Sequence, residues 1–570
     1  MEKIKKLRKY FKKYKIDGYI VPKNDEFFSE YTPKSKDYLN IISNFSGSYG
    51  FALILKKKNY LFVDGRYTLQ ATNQSGKNFK ILNLPLKNVK SIIKNKNIGF
   101  DPKLFNKNKY LIFIKKTKSN FIPIDPNLIK LIYKNKEKNK KNNFFILKNS
   151  VTGETSKKKI NKLTNFIKKN KIDFQFVTAP ENVAWLLNIR GEYSKFSPIP
   201  NSHLIIDSKK NLYLFCNLKS ISKKLKNNLK NVKFFDIENI STFILSLKEK
   251  IFAVDNHSCS IYFLKLIQKN NIIKKINDPI YFYKSIKNKT EIINTKKIHE
   301  IDGAALTKFI FWLKNNYRRK KITEIDAQEK LLKFRKNFSR FQSLSFPTIS
   351  SSGPNGAIVH YNAEKKTNRI LKKGDIYLVD SGGQYKFGTT DVTRTISLKN
   401  NNMRIKNIFT RVLKGHISVA NFKFKKNTTG SEIDAVARSS LKEKNLDFSH
   451  GTGHGVGYYL NVHEGPQSLS KFNKVKLLPG MILSNEPGYY EKGKFGIRIE
   501  NLVVIKKKLG KSKFENLTYV PIDKNLILKN IMNKTEIEWL NKYHDNVYKK
   551  LKKYMNKDEK FKLREYCSNI

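Results

Sequence analysis

Between residues 358 and 500 the chain carries acids and imidazoles of the kinds that bind cations. The stretch IVHYNAEKKTNRILKKGDIYLVDSGGQYKFGTTDVTRTISL, residues 358–398, contains His360, Asp380 and Asp391. Three of the nine histidines fall within HGTGHGVGYYLNVHEGP, at His450, His454 and His463. Glu486 follows in MILSNEPGYY, and Glu500 in FGIRIENLVVI, two residues after Arg498. Each has an ordinary reading alone: an aspartate that caps a turn, or a glutamate paired with the arginine beside it, as Glu500 with Arg498. Together, Asp380, Asp391, His454, Glu486 and Glu500 supply four carboxylates and one imidazole. Four negative charges balance two divalent cations, and oxygen donors suit hard ions such as manganese better than a thiolate-type zinc site does. A two-metal centre lowers the pKa of a water, polarises a carbonyl and orients the reacting groups, which is equipment for hydrolysis. The GTGHGVG run is no phosphate loop, because it lacks a following GK[ST] and a strand-to-helix setting.

Such a cluster needs strands and tight connections to converge. Asp375 to Asp380 and Thr390 to Leu398 read as adjacent strands, and the glycine-bearing SGGQYKFG turns the chain between them. Strand alternation then puts Asp391 on one side with Thr393 and Thr395. Glu486 ends a strand that follows the Pro479-Gly480 turn, on the face of Ile482 and Ser484. Continued alternation through FGIRIENLVVI would place Arg498 and Glu500 on one face, with Ile497 and Ile499 on the other. Glycines around His454 allow close backbone approach.

At 570 residues the chain is long enough for three or four domains of roughly 150 residues. Residues 1–145 alternate apolar runs (Gly18 to Val21, Phe51 to Leu55, Tyr60 to Val63) with charged helical stretches, which predicts an α/β domain. YKNKEKNKKNN, from Tyr133 to Asn143, has no apolar period and reads as a linker. A second α/β domain follows over 150–285, with a helix from Ser156 to Lys171 and a hairpin in HLIIDSKKNLYLF. The third, 290–510, opens on a long helix through GAALTKFIFWLKNN, and Thr323 with Asp326 caps another. The extension 511–570 has helical periodicity through WLNKYHDNVYKKL, and its lysine-rich end is expected to fray.

Lys and Arg number 114 against 46 Asp and Glu, a net +68, which raises a polyanion partner for consideration. The excess is mostly lysine spread along the whole chain with abundant Asn, Ile, Phe and Tyr, as A+T-rich coding produces. A nucleic-acid groove would concentrate the charge and interleave aromatics, so no specific nucleic acid is expected. Three cysteines without CxxC spacing argue against a disulfide framework and for a reducing compartment. The charged N-terminus and the lack of an apolar run of about eighteen residues disfavour secretion and a membrane span, leaving the cytoplasm.

The ensemble resembles the long, three-domain Xaa-Pro aminopeptidases (aminopeptidase P) of the creatinase-like pita-bread metallopeptidases. DGYIVPKNDEFFSEY and LFVDGRYTLQA are similar to their first domain, ENVAWLLNIRG to their second, and EWLNKYHDNVYKKL to their C-terminal extension. The resemblance implies an α/β and α+β chain: two creatinase-N-like α/β domains, then a pita-bread catalytic domain with a helical extension. It implies metal ligation by Asp380, Asp391, His454, Glu486 and Glu500, substrate binding by His360, His450 and His463, and support of a ligand aspartate by Arg498. It further implies two divalent ions, with manganese favoured, a homodimer, and peptides with proline second as substrates. An activated water would attack the carbonyl of the first residue, with Glu486 as proton acceptor and His360 and His463 stabilising the oxyanion or guiding the proline. Two other readings stay open: a prolidase acting on Xaa-Pro dipeptides, and a non-catalytic pita-bread module that binds protein or nucleic acid.

Overall fold

Short apolar strands alternating with amphipathic helices build two six-stranded sheets in the N-terminal half. The computed structural model describes residues 1–84, 89–116, 118–133, 143–399 and 401–570. Most of the expected linker Tyr133 to Asn143 therefore lies outside the described residues. In the first sheet the order is Lys80–Asn83, Asn59–Val63, Phe51–Leu55, Gly18–Pro22, Asn97–Phe100, Asn120–Pro123. In the second it is Val232–Asp236, Leu212–Cys216, Ser202–Asp207, Phe174–Val177, Ile251–Asp255, Ile272–Ile276. Counted within each sheet the two orders are the same, and so are the senses of pairing. The hairpin expected around Asp207 to Asn211 joins Ser202–Asp207 to Leu212–Cys216. Both sheets belong to one compact unit, Met1–Ser194 with Pro198–Ile280, and share an apolar core that runs from Ile20 and Phe100 to Phe176, Phe215 and Phe252.

The second unit comprises Lys195–Ser197 and Tyr281–Ile570. Its long helix, Lys289–Asn316, starts at a capping box formed by Asn288 and Glu291. The helix Glu324–Lys336 starts at the expected Thr323/Asp326 box. Arg335 donates from Nε to Asp302 Oδ1 at 2.7 Å and from Nη2 to Ser381 Oγ at 3.1 Å, so the two helices are locked to each other and to the end of a central strand. That strand, Ile376–Ser381, lies between Ile349–Ser352 and Val392–Ser397 in a three-stranded antiparallel sheet. A five-stranded sheet runs Glu464–Leu469, Gly453–Gly455, Ile482–Asn485, Asn501–Lys508, Lys511–Asn516.

Two local expectations are corrected. FGIRIENLVVI is not one strand: Phe495–Arg498 pairs with Gly488–Glu491 as a hairpin, the chain breaks at Ile499 and Glu500, and Asn501–Lys508 joins the five-stranded sheet. The break is held by Arg394, whose buried guanidinium donates to the carbonyls of Glu500 (2.7 Å), Val520 (2.8 Å) and Pro521 (3.1 Å) and to the Tyr543 hydroxyl (2.7 Å). The lysine-rich C-terminus does not fray. After Lys534–Leu551 it forms a second helix, Lys557–Tyr566, capped by Asn556 and Glu559, with Leu563 and Cys567 buried. Among the described residues no helix is long and apolar enough to cross a membrane.

Candidate metal centre

Asp380 sits on Ile376–Ser381 directly opposite Thr393, and Asp391 immediately precedes Val392–Ser397. His454 is the middle residue of Gly453–Gly455. A Cβ at Gly453 would lie 1.9 Å from the Ser484 carbonyl oxygen, so only glycine lets this short strand press against its neighbour. Glu486 follows Ile482–Asn485, and its N–H donates to the Thr452 carbonyl at 2.8 Å. Glu500 occupies the break between Phe495–Arg498 and Asn501–Lys508, where its N–H donates to the Thr393 carbonyl at 3.2 Å.

These placements converge. Asp391, His454 and Glu500 each present a ligand atom, and the three lie within 4.8 Å of one another. His454 Nε2 is 3.4 Å from Asp391 Oδ2 and 3.5 Å from Glu486 Oε1. Its Nδ1 is 2.9 Å from the Gly455 carbonyl, which can only accept, so Nδ1 donates there and Nε2 is the nitrogen that faces the cluster, with a lone pair to offer in the neutral imidazole. Ser484 Oγ donates to Glu486 Oε1 at 3.0 Å and accepts from His454 N at 2.9 Å. Thr393 Oγ1 donates to Glu500 Oε2 at 2.8 Å. Arg498 pairs with Asp380, Nη2 to Oδ2 at 2.7 Å, not with Glu500 two residues away. The other Asp380 oxygen, Oδ1, is buried with no hydrogen-bond partner.

Burial, then the charges of Asp380 and Glu486, raise Asp391 well above the usual carboxylate range. Burial, then Asp391, Glu486 and Asp380, do the same to Glu500. Burial alone would make the Arg498 guanidinium easier to deprotonate, but Tyr490, Asp380 and Glu486 outweigh it and hold the group charged. The acids thus repel one another unless protons or cations neutralise them. Oxygen donors, one imidazole lone pair and an orphaned buried carboxylate oxygen fit divalent cations. A consequence can be measured in metal-stripped protein. Because Asp391 and Glu500 hold protons more tightly folded than unfolded, their contribution to stability is complete below the unfolded carboxylate pKa of about 4 and is lost as pH rises through the raised folded values. Cations compete with those protons. The gain in melting temperature on adding Mn2+ should therefore grow between about pH 5 and about pH 7.5, and a gain that shrinks with pH would contradict the site.

The remaining histidines take different places. His463 is exposed, with its ring centroid 4.1 Å from that of His454. Its neighbour Glu464 is buried between Lys284 (2.8 Å) and Lys287 (2.5 Å), which fixes the segment. His360 is half-buried in the connection between Ile349–Ser352 and Ile376–Ser381, one residue after Val359, whose carbonyl lies 3.4 Å from Arg498 Nη2. His450 joins less directly. Its Nδ1 donates to Gly451 O at 2.8 Å, leaving Nε2 to accept from the Tyr490 hydroxyl at 2.9 Å, which in turn accepts from Arg498 Nη1 at 2.5 Å. Tyr490 is a site residue that sequence reasoning missed, while Thr393 and Ser484, which alternation set on the faces of Asp391 and Glu486, were given no part in the site. For Tyr490 a signal existed: GYYEKGKFGIR reads as a hairpin about its glycine-bearing turn, and that pairing puts Tyr490 opposite Gly496 and Gly488 opposite Arg498.

The sequence profile of metallopeptidase family M24 matches residues 294–507, which contain all five converging side chains. A probable Xaa-Pro aminopeptidase P of Laccaria bicolor is 36% identical over 603 aligned residues, covering 100% of this chain and 93% of that protein. The chain belongs to metallopeptidase family M24, among its Xaa-Pro aminopeptidases. Its M24 domain is preceded by two matches to the creatinase/prolidase N-terminal domain, residues 3–132 and 135–291, and followed by the M24 C-terminal region, residues 511–570. This is the order of folds the sequence pointed to. Xaa-Pro aminopeptidase 1 of Dictyostelium discoideum is 35% identical, covering 100% of this M24 chain and 96% of that protein. The X-prolyl aminopeptidase of Caenorhabditis elegans, described as a cytosolic enzyme with a di-nuclear active site, superposes with a TM-score of 0.94 at 30% identity, covering 100% of this chain and 99% of that one.

Proposed function

We propose that this M24 chain is a Xaa-Pro aminopeptidase, hydrolysing the bond between an N-terminal residue and a following proline, and that Asp380, Asp391, His454, Glu486 and Glu500 hold two divalent cations. The observation that carries the reading is the convergence of His454 with Asp391, Glu486 and Glu500, beside Asp380, whose charge acts on both Asp391 and Glu500 and whose Oδ1 is buried with no hydrogen-bond partner. Full-length likeness to proteins named for this activity supports it. Bound cations would supply Lewis acidity and a nucleophile at neutral pH. The chain's own residues do the rest. Glu486, held by Ser484 as a hydrogen-bonded carboxylate, accepts a proton at a carboxylate oxygen. His463, exposed beside His454, and His360 bind the substrate and stabilise charge that develops on its carbonyl oxygen. His450 binds substrate at the edge of the site and is held by Tyr490. Arg498 orients Asp380 and balances its charge. Manganese is the preferred ion, because the donor set is mainly hard oxygen. A homodimer in the cytoplasm, with a chain divided at 1–145, 150–285, 290–510 and 511–570, completes the proposal.

Substrate length separates this reading from a prolidase. With Mn2+ present, an Xaa-Pro-Xaa tripeptide is expected to turn over with kcat/KM at least about tenfold above that of the matching Xaa-Pro dipeptide, a difference of about 1.4 kcal/mol in transition-state binding. The reverse order, in side-by-side initial rates, would make the chain a dipeptidase.

A further inference from the structure

His360 lies in a connection with little regular structure. Between Ile349–Ser352 and Ile376–Ser381 the regular structure is a short 3-10 turn, Gly353–Ala357, and an isolated bridge of Ile370 to Thr323 near the far end. A segment built this way cannot hold a side chain still by its own backbone ladder. Its fixed points come from elsewhere, and the largest is one carboxylate. Glu324, the first residue of the helix Glu324–Lys336, is fully buried. The helix does not need it, because Thr323 and Asp326 already form the capping box. Its oxygens instead accept from Ser352 N at 2.7 Å, Asn355 Nδ2 at 2.9 Å, the Tyr361 hydroxyl at 2.9 Å and Arg369 N at 3.0 Å. These donors come from the start, the middle and the end of the connection. An isolated buried carboxylate is costly, and so dense a set of donors is what makes it tolerable.

The residues on either side of His360 are tied to different anchors. Tyr361, just after it, bonds to Glu324. Val359, just before it, gives its carbonyl to Arg498, the partner of Asp380. Gly356 adds a second contact on that side: a Cβ there would lie 2.9 Å from Gly496 N, two residues before Arg498. The two-sided clamp fixes the backbone at His360 against the acidic cluster.

We infer that Glu324 is a positioning residue for His360, acting through Tyr361. This rests on the reading that His360 meets the substrate, and two separate readouts keep the two apart. The first is hydrogen–deuterium exchange of the full-length, Mn2+-loaded protein, which needs no activity. Glu324→Gln keeps the shape and loses the charge, while Tyr361→Phe removes a single hydroxyl and guards against a Glu324 variant that fails to fold. Both are expected to speed exchange in peptides spanning 353–369 while bound metal stays at the parent level. The second readout is turnover of an Xaa-Pro-Xaa tripeptide. Both variants should lower kcat by about tenfold or more with a smaller change in KM, since displacement by about an ångström is enough to cost that much. In a double-mutant cycle Glu324→Gln should add less than about twofold to His360→Ala. Unchanged exchange overturns the inference, as does a loss in kcat fully additive with that of His360→Ala. If His360→Ala is as active as the parent, the substrate role of His360 falls, and a Glu324→Gln variant that is still slow shows that Glu324 does not act through it. If the parent cleaves no Xaa-Pro peptide, exchange alone decides: faster exchange supports the clamp and unchanged exchange ends it.

Discussion

Asp391→Ala is expected to lose bound metal and to lower kcat/KM on an Xaa-Pro-Xaa peptide by more than about 10^3-fold, beyond what removal of one stabilising donor usually costs. Asp391 stands inside the cluster, its carboxylate 3.4 Å from His454 Nε2 and grouped with His454 and Glu500. The variant also has an unusual expected signature in stability. In metal-stripped protein the Asp391 carboxyl is desolvated and repelled by Asp380 and Glu486, so its removal relieves repulsion. Stripped Asp391→Ala should therefore melt no lower than the stripped parent, while the stabilisation that Mn2+ gives the parent should be missing. Metal analysis, initial rates and melting curves with and without Mn2+ measure all three. A variant that keeps both its metal and its turnover would remove Asp391 from the site, and one that melts far below the stripped parent would make its role structural.

What the sequence made legible follows the range of the forces involved. Ile376–Ser381 and Val392–Ser397 could be read because alternation and a glycine-bearing connection are local, and the pairing of Asp380 with Thr393 follows from them. The Thr323/Asp326 box was legible for the same reason. Arg498 was not. By sequence its nearest acid is Glu500, yet it bonds Asp380, 118 residues away, because the break at Ile499 and Glu500 turns the two side chains to different neighbours. No local rule reports that break, since the strand-like pattern runs on through IENLVVI while Arg394 gathers carbonyls from Glu500, Val520 and Pro521. Those last carbonyls belong to the extension after residue 510, so that extension helps to shape the turn that carries Glu500. The convergence of all five side chains was legible only as charge arithmetic and resemblance. Their distances depend on glycine positions such as Gly453, whose need for close approach appears once Ser484 is seen against it.

Replacing Arg498 tests whether that long-range pair is electrostatic or merely packed. Arg498 is 1% exposed, and its guanidinium donates to Asp380, Thr393, Tyr490 and the Val359 carbonyl. Removing one partner of a buried ion pair leaves the other unpaired in low dielectric, at a cost of about 3–5 kcal/mol. Arg498→Met should therefore destabilise the metal-stripped protein by that amount. A cation held by Asp380 neutralises the same charge, so the loss should be clearly smaller in Mn2+-loaded protein. Arg498→Lys keeps a charge but gives up the fork that reaches several acceptors at once. It should bind metal and lower kcat by about 10–100-fold, as loss of an outer partner that orients a ligand commonly does. Unfolding midpoints with and without Mn2+ separate the possibilities. If Arg498→Met costs the same in both conditions, packing alone explains the residue. If the cost falls when metal is present, Arg498 and the cations share the task of neutralising Asp380, and the buried acids form one electrostatic unit with the arginine as its fixed positive charge.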